Sequence, residues 1–395
     1  MKEIAKQNEV QLNQYQAHFC LVSDQPAANF LPIVYYKPKV VVLIVSPNER
    51  IRKLASDLKD ALKKSRPDIQ IHQLNIKSAY DVNSTLMEIW GQLDCYKEKN
   101  LNPIVNLTGG TKLMAFAALR AASAANCDAF YLDIEKDAIT LFQAGNIDGE
   151  TRIPAIEFQS KLNHYFESYG YTCKLLGKMK KNFSKEDEEL VCKLATKQEI
   201  REAISFMNKY VCKAEGTNIT SGLGRNRRKP ENLKYRSGIE EWIREFERAG
   251  YVRRKGEELS FPDEESRFFA AGGWLEEYVA LRIQELGYKT WVNLEVRKGT
   301  VKNELDVAFF KNGRPYIVEC KTGKLDSLEE ANKAVYKFKT LGEIGGRRTK
   351  LILVSYQEVY SEAKRRAQEW GISVIDGSQL CQLKKIIKKI SEGEQ

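Results

Sequence analysis

The chain is poor in the residues that build ready-made metal or redox centres. Only three of its 395 residues are histidine (His18, His72 and His164), and they stand far apart. Its eight cysteines are scattered singly, with no C-x-x-C pair and no zinc spacing. A histidine-based site and a zinc ribbon are thereby excluded, and the thiols read as reduced core residues. No apolar run approaches the roughly 20 residues that cross a bilayer. The start, Met1-Lys2-Glu3-Ile4-Ala5-Lys6, lacks a signal-peptide core, so the expectation is a cytoplasmic protein without a membrane partner. Two nucleotide fingerprints are missing as well. No G-x-G-x-x-G follows a strand, and Gly110-Thr111-Lys112 does not complete G-x-x-x-x-G-K-[ST]. An ordinary dinucleotide fold and a P-loop are therefore not the reading.

What is present is the composition of a globular protein, 43% hydrophobic and 29% charged, long enough for two or three domains. The formal net charge of +10 suits a polyanionic partner through counterion release.

The first 155 residues alternate strands and helices. Ala17 to Val22, Lys39 to Val45, Ile69 to Leu74, Pro103 to Asn106 and Ala129 to Asp133 read as strands. Helices are predicted over Asn48 to Lys64, with Ile51, Leu54, Leu58 and Leu62 on one face, Ser84 to Leu93, and Lys112 to Ala125. Continuous β-branched runs between helices predict a parallel sheet covered on both faces, with ligands gathered at the carboxyl ends of its strands. Two loops there are chemically marked: Ser46-Pro47-Asn48, and Asn106-Leu107-Thr108-Gly109-Gly110-Thr111-Lys112. In the second, paired glycines open backbone N–H groups at a helix start beside two hydroxyls and a lysine, which is an anion and nucleotide cradle.

Near the other end, Asn312-Gly313 is a two-residue hairpin turn between Asn303–Lys311 and Arg314–Lys321. A turn centred there pairs Asp306 with Glu319 and Glu304 with Lys321, all on one face. A face dominated by acids is costly unless a cation neutralises it. Two carboxylates and the backbone carbonyl of Cys320 can hold Mg²⁺ or Mn²⁺, and Lys321 can stabilise developing charge. Upstream, Gly272-Gly273-Trp274-Leu275-Glu276-Glu277-Tyr278-Val279 opens a helix with Val279, Ile283 and Leu286 on one stripe. Leu351 to Ser355 (strand), Ser361 to Trp370 (helix), Ile372 to Ile375 (strand) and a helix from Ser378 complete an α/β core with a mixed sheet.

The C-terminal residues resemble the PD-(D/E)xK nuclease superfamily. The resemblance makes Asp306 the first acid, Glu319-Cys320-Lys321 the E-x-K and Glu276, eleven residues before Gly287, the helical acid, with Glu277 the weaker candidate. The N-terminal residues resemble CARF domains, the Rossmann-like sensors of type III CRISPR systems, through Asn106 to Lys112 and Leu21-Val22-Ser23-Asp24-Gln25-Pro26. That resemblance implies contacts to a cyclic oligoadenylate from Gln25, Ser46, Thr108, Gly109, Gly110, Thr111 and Lys112.

Taken together, the chain resembles a CRISPR ancillary nuclease. A CARF sensor is expected over 1–155, a connector over 156–265 and an endonuclease-like α/β domain over 266–395. The connector's predicted helices are Ile156 to Tyr169, Lys185 to Lys197 and Gly238 to Arg248. A hairpin around Lys255-Gly256 then gives the outline of a winged helix, and Arg225, Arg227 and Arg228 form a basic run. The implied activity is metal-dependent cleavage of DNA, RNA or both by a homodimer, switched on by cyclic oligoadenylate, with cyclic tetra-adenylate (cA4) the expected ring. The competing reading is a CARF-controlled DNA-binding regulator with an inert nuclease core.

Overall fold

The computed structural model describes residues 12–134, 138–144, 150–154, 160–176, 184–211, 218–219, 236–256 and 258–393. The basic run at Arg225 to Arg228 lies outside them. The chain divides into two compact units. The first runs to Cys173 and also takes in Phe310–Pro315 and Ile344–Thr349; the second holds the remainder.

In the first unit, β1 (Ala17–Leu21), β2 (Val40–Val45), β3 (Gln70–Asn75), β4 (Pro103–Asn106), β5 (Asp128–Asp133), β6 (Ala138–Phe142) and β7 (Glu150–Pro154) form one sheet, in the order β3-β2-β1-β4-β5-β6-β7. The pairings among β3, β2, β1, β4 and β5 are parallel, as the β-branched runs require. The purely parallel expectation is corrected at one edge, where β6 and β7 run antiparallel. The helices are α1 (Ala27–Tyr36), α2 (Glu49–Ser65), α3 (Val82–Glu98), α4 (Lys112–Ala124) and α5 (Leu162–Ser168). The order of the strands reverses between β1 and β4, and a crevice opens at such a switch point.

Helix α1 contains Pro32, which removes one N–H and would orphan the carbonyl four residues back. That carbonyl, on Ala28, accepts from Asn106 Nδ2 at 2.9 Å instead. Asn106 is fully buried. Its Nδ2 also donates to Asn29 Oδ1 at 2.9 Å, and its Oδ1 accepts from the N–H and hydroxyl of Thr108. One side chain at the end of β4 thus ties the proline helix to the glycine loop.

The second unit is built on the six-stranded sheet β16-β15-β14-β13-β12-β8. Its strands are β8 (Thr172–Leu175), β12 (Thr290–Lys298), β13 (Val301–Lys311), β14 (Arg314–Lys321), β15 (Lys350–Ser355) and β16 (Ile372–Asp376). β12 and β13 pair antiparallel, while β14, β15 and β16 pair parallel, so the sheet is mixed. Helices α6 (Lys185–Thr196) and α7 (Gln198–Val211) lead to β9 (Asn218–Ile219), which forms a small sheet with β10 (Arg253–Lys255) and β11 (Glu258–Ser260) that lie beyond α8 (Arg236–Arg248). Then come α9 (Glu264–Phe268), α10 (Trp274–Gln284), α11 (Leu328–Leu341), α12 (Ser361–Glu369) and α13 (Leu383–Glu392). Val191, Leu194, Ile204, Trp242 and Phe246 of the preceding helices share one buried cluster with Trp274, Leu275, Val318 and Ile352.

Candidate active site and ligand cavity

The hairpin turn is two residues long, and both Asn312 (φ 51°) and Gly313 (φ 68°) take the left-handed conformation that such a turn needs. The strands it joins bring the predicted acids together. Asp306 Oδ2 accepts the Cys320 backbone N–H at 2.7 Å, and Lys321 Nζ donates to Glu319 Oε1 at 2.5 Å. Glu319 is 7% exposed.

Glu276 arrives from α10, whose start follows a kink over Phe269–Gly273 where Gly272 leaves the helical backbone. Gly272 sits there at φ 142°, where a Cβ would stand 2.7 Å from Thr322 Oγ1. The helix therefore approaches the end of the E-x-K strand more closely than any other residue type allows. The two neighbouring glutamates separate cleanly. Burial, then the charge of Asp306, holds Glu276 well above the ordinary carboxylate range. Glu277 is pushed up to about 7 by burial and by Asp187 and Glu265 instead. Glu276 belongs with Asp306; Glu277 belongs to another cluster.

Asp306 is itself raised to about 7, by burial and then by Glu319. Burial alone would lower Lys321, but the charges of Glu319 and Asp306 outweigh it and the ammonium is held above its usual value. Glu276 Oε2 is buried without a hydrogen-bond partner. Crowded acids with raised pKa values and an orphaned carboxyl oxygen fit a site that takes a hard cation. Among the described residues no three His, Cys, Asp or Glu side chains form a group that could hold a metal ion by themselves. The donor set that fits is fewer carboxylates completed by a backbone carbonyl and waters, as small divalent ions prefer.

At the switch point of the first unit, a cavity of about 240 Å³ is lined by Val22, Ser23, Asp24, Ser46, Asn48, Arg50, Ile51, Gly110, Thr111 and Met114. Two helices begin at it. Asn48 caps α2 by accepting from Ile51 N at 3.3 Å, and Thr111 caps α4 by accepting from Met114 N at 3.1 Å. Of the seven sequence-predicted contacts, Ser46, Gly110 and Thr111 line the cavity. Gly109 lies against β1, where a Cβ would stand 1.9 Å from the Leu21 carbonyl oxygen. The Thr108 hydroxyl donates to Asn106 and accepts from Leu132 N at 2.8 Å. Gln25 Oε1 accepts from Arg347 N at 3.3 Å, and Lys112 is exposed at the first position of α4. Much of the glycine motif thus builds the loop itself. Arg50 was missed from sequence; its signal was a position in the first helical turn after a capping asparagine.

Residues 17–165 match the family model for the Card1 CARF domain, and residues 263–393 match the Card1-like endonuclease domain. The chain is a CARF endonuclease. No curated protein matches it significantly. Among solved structures, the CARF endonuclease is similar to protein VC1899 from Vibrio cholerae (17% identity, TM-score 0.79, covering 95% of this chain and 98% of that one). It is also similar to Can2 from Sulfobacillus thermosulfidooxidans in complex with cyclic tetra-adenylate (21% identity, TM-score 0.71, covering 94% and 98%). A type III CRISPR defence DNA nuclease activated by cyclic oligoadenylate matches at 15% identity and TM-score 0.52, over 86% of this chain and 45% of that one. At these identities the likeness is one of fold.

Proposed function

We propose that the chain is a metal-dependent endonuclease switched on by a cyclic oligoadenylate, with cA4 as the ring we favour. The observation that carries the nuclease half is the convergence of Glu276, Asp306, Glu319 and Lys321 on one hairpin and one helix start. Asp306, Glu319 and the Cys320 carbonyl, with Glu276 beside them, would hold Mg²⁺ or Mn²⁺, which would polarise a phosphate and lower the pKa of a bound water. Lys321, kept charged by Glu319, would steady the negative charge that grows on the phosphate.

The sensor half rests on the cavity at the switch point. Two helix N-termini favour phosphate there, Arg50 adds a positive charge, and Asp24 can accept from a ribose hydroxyl or an adenine amine. The solved structure of Can2 with cyclic tetra-adenylate supports that choice of ring. A homodimer follows from the same reading, because two copies of one pocket can each hold half of a symmetric ring.

Cleavage of supercoiled plasmid and of single-stranded RNA in Mn²⁺, with and without cA4, tests both halves. Cutting should require the ring, stop with EDTA and fall by at least a hundred-fold in Glu319→Gln and Lys321→Met, with cA4 binding retained. Equal cutting without the ring would remove the sensor role. Ring binding without any cutting would favour the DNA-binding regulator.

A further inference from the structure

The β12–β13 register runs Val292↔Val307 and Leu294↔Leu305, so that Asn293 and Asp306 occupy the positions between these two pairs. Asn293 is unusual in three ways. Its φ is 50°, in the left-handed region, inside a strand. It is 1% exposed. Its side-chain Nδ2 is buried and makes no hydrogen bond. Asparagine tolerates a left-handed backbone better than most residues, which accounts for the conformation but not for the buried amide. An unpaired buried donor costs about 1–3 kcal/mol. The second orphaned group nearby is Glu276 Oε2. The Asn293 amide lies beside the Glu276 carboxyl, although neither group makes a hydrogen bond of normal geometry.

We propose that Asn293 is a positioning residue of the nuclease site, its amide holding the Glu276 carboxylate beside Asp306 so that both can face one cation. This rests on the metal-dependent reading above. Without a cation, two crowded acids gain nothing from a fixed orientation. With one, the buried Nδ2 supplies a donor to the carboxylate's second oxygen, as partners of ligating carboxylates usually do.

The test is Mn²⁺ affinity of the full chain, read from the electron paramagnetic resonance of the free ion without nucleic acid. The parent, Glu319→Gln, Asn293→Gly and Asn293→Asp are compared. Glycine keeps the positive φ and removes the amide. Aspartate keeps the shape and replaces the donor with a like charge. Binding by the parent and its loss in Glu319→Gln support the metal site independently. Both Asn293 variants should bind Mn²⁺ about ten-fold or more weakly and need correspondingly more Mn²⁺ for half-maximal cleavage. Parent-like affinity in Asn293→Gly would make Asn293 a backbone residue only. Tighter binding in Asn293→Asp would make position 293 a direct ligand, which also overturns the proposal. A parent that binds no Mn²⁺ removes the metal reading and this inference together. Melting in EDTA identifies a variant that has merely unfolded, and the aspartate form then decides.

Discussion

Crowding, more than the identity of any one acid, sets the chemistry of the nuclease residues. Asp306 is raised from 3.8 to about 7 by burial and by Glu319, so the folded chain binds that proton more tightly than the unfolded chain does. A carboxyl of this kind subtracts stability as pH rises from about 4 through about 7, and subtracts nothing below the unfolded value. In EDTA at pH 8, Asp306→Asn should therefore melt at a higher temperature than the parent, and the gap should close by about pH 4. A gap of the same size at both pH values would show that Asp306 is not strained by its charge. Cation binding needs the ionised form, so cleavage should rise with pH across the same window and shift to lower pH as Mn²⁺ is added. At this scale the sequence was informative for the acids, because a two-residue turn fixes which side chains share a face. It was uninformative for Asn293. An asparagine in a strand carries no sign of its backbone conformation until the strand opposite is known.

Helices and strands were legible where hydrophobic periodicity was long and unbroken. β2, α2 and α4 stand within two residues of their predicted positions. Helix α1 was not assigned, because a proline in its interior argues against a helix. The element exists because Asn106, 74 positions beyond Pro32 in the sequence, supplies the missing hydrogen bond to Ala28 O. No local rule can see that. The same long-range debt makes a prediction. Asn106→Ala leaves Ala28 O without its Asn106 donor and Thr108 N without its Asn106 acceptor, each buried group costing about 1–3 kcal/mol. Asn106→Asp restores the acceptor for Thr108 but not the donor for Ala28. Chemical denaturation of the first unit should rank the parent above Asn106→Asp and Asn106→Asp above Asn106→Ala. Equal stability of all three would show that α1 holds its proline turn without help. Strands β6 and β7 were missed for a different reason. They are short antiparallel strands, and their alternation is weaker than the continuous apolar runs of the buried strands.

For the molecule as a whole, sequence distance is a poor guide to assembly. Arg348 is 1% exposed inside the first unit, donating to the carbonyls of Ile134, Asn312 and Gly313. A buried arginine so far along the chain gives no local signal, since arginines are normally surface residues. The assembly prediction comes from size. The cavity at the switch point measures about 240 Å³, below the roughly 300–1,000 Å³ of pockets that enclose a drug-sized ligand. On the proposed reading a ring of four nucleotides exceeds it and would be shared. Two copies related by a two-fold axis present the same residues twice to a ring that carries the same symmetry. Calorimetric titration with cA4 should therefore saturate at one ring for every two chains, and sedimentation of the saturated protein should give the mass of a dimer. Ser46→Trp, which fills the cavity from the loop after β2, should abolish the heat without changing that mass in the ring-free protein if the chains already pair on their own. Saturation at one ring per chain would mean that each copy encloses its own ligand, and the two-fold sharing would have to be given up while the nuclease assignment stood.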